Sequence, residues 1–304
     1  MPKERFFPKD GLAITVLVFT ALFFAVVLWW PILNTFRLSL QHKYFADIYW
    51  VGLGNFKKLF TDDPVVYKAF KNSVQYALMV VPTVIVIGLA LSIAVNGLKD
   101  LMARGAFTSF YFVAYVVPLV AVAVVWRYMY LPNRQGLFNA GLALFGIKPV
   151  RWLLASQTAL LSLAIMSIWK STGYAMLVYL AGLQAIPEVF YEAARIDGAN
   201  RWRQFINITW PLLMPTTTFV AVMMTLGALM MFGPVYVMTG GGYASGIEVG
   251  GPNYATTTIV YYIYRNAFVF HLEGYASALC VVLFVVMVTV SYVQFKYIRA
   301  QYEY

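Results

Sequence analysis

The chain of 304 residues is 62% hydrophobic and 11% charged, a balance that excludes an ordinary soluble domain of this length and makes it an integral membrane protein. A net charge of +10 would suit nucleic acid in a soluble protein, but here the basic residues flank long apolar runs, where lipid headgroups sit; membrane lipid is the expected partner and nucleic acid is not. The single cysteine, Cys280, lies inside an apolar run, which excludes an internal disulfide and gives no sign of redox chemistry.

A bilayer span needs about 20 mainly apolar residues, and six stretches meet that length. The first, at about 11–33, follows the basic residues Lys3, Arg5 and Lys9 and ends in Trp29-Trp30-Pro31, which suits an uncleaved anchor with an interfacial belt. A polar and aromatic segment to Lys71 is the longest outside the spans, with room for short helices but not for a domain. The second span, about 72–95, contains Pro82 and Gly88; the third, about 107–130, contains Pro118. Such residues are tolerated in a span because neighbours can satisfy the freed backbone. A polar stretch with Arg134, Lys148 and Arg151 leads to the fourth span, about 158–183. The fifth, about 216–238, breaks into Thr239-Gly240-Gly241-Gly242, and the sixth, about 272–296, closes near Lys296 and Arg299. The prediction is an all-α, polytopic membrane protein of six transmembrane helices, forming a single domain over residues 1–304.

Between the fourth and fifth spans lies a polar helical island, about 187–211. Pro187 suits the first turn of a helix, Glu188 and Glu192 sit near the positive end of its dipole, and Arg195 near the negative end. Asp197-Gly198 is a stop signal in which Gly198 takes positive φ, Asn200 can cap a second helix, and Pro211 must end it. Val189, Ala193 and Ile196 form an apolar stripe fit to dock in a groove or to lie on lipid.

The run Glu192-Ala193-Ala194, Gly198 and Ile208-Thr209-Trp210-Pro211 resembles the Glu-Ala-Ala loop of membrane subunits of binding-protein-dependent ABC importers, with Trp210 where the family usually has Leu. Val51-Gly52-Leu53-Gly54-Asn55-Phe56, Ile168-Trp169-Lys170, Ala181-Gly182-Leu183-Gln184, Ala255-Thr256-Thr257-Thr258 and Tyr262-Ile263-Tyr264 resemble its maltose-type sugar branch, whereas an insertion around Tyr243 to Pro252 departs from it. The resemblance implies a permease subunit for a sugar or oligosaccharide, an acidic one included. It also implies a second homologous permease, two ATPase subunits and a periplasmic or extracellular solute-binding protein. Glu192, Ala193, Ala194, Asp197 and Gly198 would then couple to the ATPase. The bacterial or archaeal inner (plasma) membrane would be the location, with the termini and the coupling loop in the cytoplasm. No Gly-x-x-x-x-Gly-Lys-[Ser/Thr] loop occurs, so no cofactor is expected on this chain and ATP is left to the partner subunits.

On the fourth span Ser167, Lys170, Ser171, Tyr174 and Val178 share one helical face. A lysine at mid-span must face a cavity, a partner or backbone carbonyls, or else snorkel to the interface. With Gly227 and Met231 of the fifth span, Ser167, Lys170, Ser171 and Tyr174 make the expected substrate pathway, which could also serve glycerol phosphate or a polyol. His42 and His271 stand alone without metal-ligand spacing, and no nucleophile–base pair is found, so no enzyme is expected. A stand-alone secondary transporter is the weaker alternative, since intramembrane acids and internal repeats are missing.

Overall fold

A computed structural model describes residues 11–45, 47–240 and 250–298. The basic start at Lys3, Arg5 and Lys9, most of the insertion at Tyr243 to Pro252, and Arg299 lie outside the described residues.

In chain order, α1 (Gly11–Phe24) passes through a π-helical turn (Ala25–Trp29) into α2 (Trp30–Ser39). A hairpin of β1 (Gln41–Tyr44) and β2 (Asp47–Trp50) follows, then α3 (Gly54–Thr61) and the long α4 (Pro64–Asn96). Next come α5 (Leu101–Val116), α6 (Leu119–Met129), α7 (Leu137–Leu144) and α8 (Ser156–Gln184). The island holds α9 (Glu188–Ile196), α10 (Arg201–Gln204), a π-helical turn (Phe205–Thr209) and α11 (Trp210–Leu212). Then α12 (Met214–Leu229), a π-helical turn (Val235–Thr239), α13 (Ile259–Tyr264), another π-helical turn (Arg265–Val269) and α14 (Glu273–Ile298) complete the described chain.

Among the described residues four helices are long and apolar enough to cross a membrane: Ala13–Ser39, Pro64–Asn96, Ser156–Gln184 and Glu273–Tyr297. Two further spans are broken pairs, α5 with α6 bent by 91° and Arg201–Leu212 with α12 bent by 62°, which gives six when each pair counts once. The first break follows from Pro118. Proline pushes the residue before it out of the helical region, and Val117 accordingly lies at φ −58°, ψ 134°. Pro82, by contrast, stays inside an unbroken α4. The helix expected to reach 238 stops at Leu229, before Gly233-Pro234. A small sheet was not expected: β1 and β2 pair antiparallel, with Gln41 opposite Trp50.

The chain forms two units. The smaller comprises residues 1–62 and 263–283. In it Asn55 donates to the carbonyls of Ser39 (2.9 Å) and Gln41 (2.9 Å), holding the hairpin against the start of α3. Lys43 pairs with Glu273 at 2.5 Å, Tyr44 bridges to Leu272, and Gly274 comes so close to the Gln41 carbonyl that no Cβ would fit.

The larger unit comprises residues 63–262 and 284–304. Here α8 is the central helix, with α4 and α5 packed along it. Among lipids the hydrophobic effect does not draw helices together, so small residues that allow close approach matter more. A Cβ on Gly88 of α4 would lie 2.8 Å from the Ala175 side chain of α8, and one on Gly173 would strike the Tyr111 carbonyl of α5. Leu163, Met166, Met176 and Tyr179 of α8 are fully buried with Val84 and Val220.

Candidate functional site

Two features gather the residues that the sequence singles out. The first is the elbow between α8 and α12. Pro187 is the N-terminal flank of α9 rather than its first turn, and Arg195 reaches Glu188 at 3.4 Å and Glu192 at 4.0 Å across exposed surface. The helix ends with the Gly198 N–H on the Arg195 carbonyl (3.1 Å) and the Ala199 N–H on the Ala194 carbonyl (2.8 Å). Gly198 has φ +74°, the left-handed conformation that closes a helix at least cost in glycine. Asn200 caps the next helix by accepting from the Arg203 N–H at 2.9 Å. Pro211 does not end that helix; it sits in the first turn of α11 after the π-helical turn, and the break falls at Leu213. The Tyr191 and Thr209 hydroxyls lie 2.9 Å apart and tie the two limbs together. On the outside, Val189 (64% exposed), Ala193 and Ile196 (87%) form a bare apolar stripe. Glu192, Asp197 and Gly198 are exposed around it, and Ala194 is half-buried.

The second feature is a cavity of about 600 Å³ between α4, α5, α8 and α12. Ser167, Lys170, Ser171, Tyr174, Gly227 and Met231 all line it, whereas Val178, the apolar member of that face, does not. Among the described residues Lys170 is its one charged side chain, and no carboxylate lines it. The Lys170 Nζ donates to three carbonyls, those of Ala114 (3.3 Å), Tyr115 (2.9 Å) and Val117 (2.6 Å). Ala114 and Tyr115 supply carbonyls of the last turn of α5, which have no helical partner and carry the negative end of its dipole, and Val117 is the residue just beyond it. Of the partners open to a mid-span lysine, the fold thus supplies backbone. An ammonium has three N–H donors, and here all three are engaged.

Sequence reasoning missed Tyr115. Its ring stacks on Tyr174 with centroids 4.8 Å apart, forming an aromatic wall beside Ser171. The Pro118 break is the signal that could have found it, because the residues just before a break turn their side chains and carbonyls towards whatever fills the gap. The Gly233-Pro234 break, by contrast, keeps its carbonyls bonded within the protein. The Met231 carbonyl is not left to the cavity but accepts from the buried Thr258 hydroxyl at 2.8 Å, and the Phe232 carbonyl accepts from the Tyr236 N–H.

No groups of His, Cys, Asp and Glu that could hold a metal occur among the described residues, and His42 instead stacks on Tyr49 at 4.6 Å. Up to six spans among the described residues, the second to fifth of which line a largely apolar cavity, with a bare amphipathic helix between the fourth and fifth, define a membrane-embedded transport subunit. The chain belongs to the family described as binding-protein-dependent transport system inner membrane component, whose model matches residues 85–303. It is 35% identical to the probable ABC transporter permease protein YesP of Bacillus subtilis (strain 168), over 97% of this chain and 93% of that protein. It is 30% identical to the arabinooligosaccharides transport system permease protein AraP of the same organism, over 92% and 87% respectively. Its fold is similar to that of a chain of a bacterial ABC transporter involved in the import of the acidic polysaccharide alginate. There the TM-score is 0.82, with 23% identity and 97% of each chain covered. The protein is accordingly a multi-pass permease subunit of the inner membrane.

Proposed function

We propose that this permease passes a sugar or oligosaccharide through the cavity lined by Ser167, Lys170, Ser171, Tyr174, Gly227 and Met231, driven by two ATPase subunits that grip α9. The observation that carries the reading is the bare stripe of Val189, Ala193 and Ile196 beside Glu192, a docking face built on a braced elbow. A second homologous permease would complete the pathway, and a solute-binding protein would deliver substrate from outside. Residues 1–304 would act as one transmembrane domain with its termini and α9 in the cytoplasm. The exposed Arg195, Arg201 and Arg203 of the elbow support that orientation.

The stacked Tyr115 and Tyr174 offer flat faces to sugar rings, Ser171 offers a hydroxyl, and AraP is named for arabinooligosaccharides. An acidic saccharide is a second reading, favoured by one observation: the Lys170 charge faces the cavity without a carboxylate to balance it. Glycerol phosphate or a polyol would meet the same groups.

The test is co-purification of the chain with candidate permease and ATPase subunits, followed by ATPase and uptake assays of wild type and Glu192→Arg. Loss of the ATPase subunits, or of substrate-stimulated hydrolysis, on that exposed substitution is expected. Transport by the chain alone in proteoliposomes, indifferent to ATP, would overturn the proposal in favour of a secondary transporter.

A further inference from the structure

A second cleft, of about 770 Å³, opens between α4 and α8 away from the substrate cavity. Its lining changes character along both helices in the same sense. On α4 it runs from Lys68, Lys71 and Gln75 to Leu78 and Met79, positions that succeed one another along one helical face. On α8 it runs from Ser156 and Gln157 to Leu160 and Leu161. Lys68 reaches Asn253 at 3.0 Å, Lys71 is exposed, and no carboxylate lines the cleft among the described residues. Leu78 (68% exposed) and Leu161 (44%) leave the floor uncovered.

The lengths of the helices place this change of character in the bilayer. The 33 residues of α4 and 29 of α8 reach about 50 and 43 Å at 1.5 Å per residue, against a hydrocarbon core of roughly 30 Å. Centring each helix puts Lys68, Ser156 and Gln157 at headgroup depth and Lys71 just inside the edge of the hydrocarbon core, about 13.5 Å from the midplane, from which a lysine side chain can snorkel to the headgroups. Leu78 and Met79 then lie near the midplane, and Leu160 and Leu161 at the outer edge of the acyl chains. Two helices whose cleft-lining residues both turn from polar at the outer end to apolar further in make a site for an amphiphile with an anionic head.

We propose that the cleft between α4 and α8 binds an anionic phospholipid, its phosphate held by Lys68 and Lys71 and an acyl chain laid along Leu78 and Leu161. The site is at the end of α8 opposite α9, so the lipid would belong to the leaflet facing away from the ATPase subunits. This assignment does not depend on which solute is carried, since none of its residues lines the substrate cavity.

Native mass spectrometry of the assembled complex, titrated with phosphatidylglycerol or phosphatidylcholine of equal chain length, tests it. Retention of phosphatidylglycerol over phosphatidylcholine is expected, and it should fall on the order of tenfold in the Lys68→Gln, Lys71→Gln double variant. Lys71→Gln alone, which leaves the Lys68–Asn253 bond, should give part of that loss. Leu161→Trp, which fills the floor and keeps both lysines, should also weaken retention. Equal binding of the two lipids would overturn the proposal. So would displacement of the lipid by soluble sn-glycerol 3-phosphate at equal concentration, which would mark a site for the free anion. Lipid held by the isolated chain but lost on assembly would overturn it too, by showing that another protein segment covers the cleft.

Discussion

Lys170 holds a charge at the middle of a span by spending all three of its N–H groups on the carbonyls that the Pro118 break sets free. Its role as a clamp and its role as an anion receptor predict different phenotypes. Each carbonyl left without a donor costs about 1–3 kcal/mol where water cannot replace it, and cavity water softens that cost. Lys170→Met is therefore expected to lower uptake of neutral and charged solutes alike, with reduced thermal stability. Loss confined to charged solutes would instead favour the acidic-saccharide reading. Gly227 stands at the opposite wall with nothing within 4 Å of a would-be Cβ. Gly227→Leu should consequently fold normally while narrowing the cavity, so that uptake of a longer oligosaccharide falls more than uptake of a monosaccharide. Gly198 has equally open space but φ +74°, so its restriction is conformational and not steric. Gly198→Val places a β-branched residue in the left-handed region, at a cost of about 1–2 kcal/mol. Uncoupling of hydrolysis from transport is expected, with solute selectivity unchanged; normal coupled uptake would remove the elbow from the mechanism.

At the scale of elements, the amphipathic island was legible because each local signal agreed with the next: the Glu188 and Arg195 charges, Gly198 at positive φ, and the Asn200 cap. The spans were legible as apolar runs, but their ends and breaks were not. Hydropathy does not distinguish Pro82, which α4 absorbs, from Pro118, around which the third span bends by 91°. The difference is tertiary, since Lys170 comes from α8 to receive the freed carbonyls of α5. The same limit hid Asn139, which sits in a stretch read only as polar. It is fully buried in α7, donating to the carbonyls of Leu131 (2.8 Å) and Val150 (2.9 Å) and accepting from the Val150 N–H (2.9 Å) and the Trp152 indole (3.2 Å). Nothing in the pattern of a single helix announces such a hub. Asn139→Leu keeps the branched shape, though it is bulkier, and removes every one of these bonds, so a loss of about 2–4 kcal/mol is expected. A fall in melting temperature with little change in solute selectivity would show it.

At the scale of the molecule, the ion pair of Lys43 with Glu273 and the seat of Gly274 on Gln41 join residues far apart in the sequence. Synthesis at 5–20 residues per second delivers Glu273 roughly 10–50 s after Lys43, since about 230 residues separate them. Throughout that interval the hairpin has its own ladder, the bond of the Val51 N–H to the Leu40 carbonyl and the two Asn55 bonds, but not its contacts with residues 272–274, and its exposed Tyr49 and Trp50 are open to chaperones and proteases. The last span therefore acts as a completion signal for the first loop, and a nascent chain is vulnerable until it emerges. A chain stopped after residue 262 should be clipped within the hairpin by a protease that spares the full-length protein. Equal resistance would assign the hairpin's stability to its own ladder and the Asn55 bonds and free its maturation from the synthesis of α14.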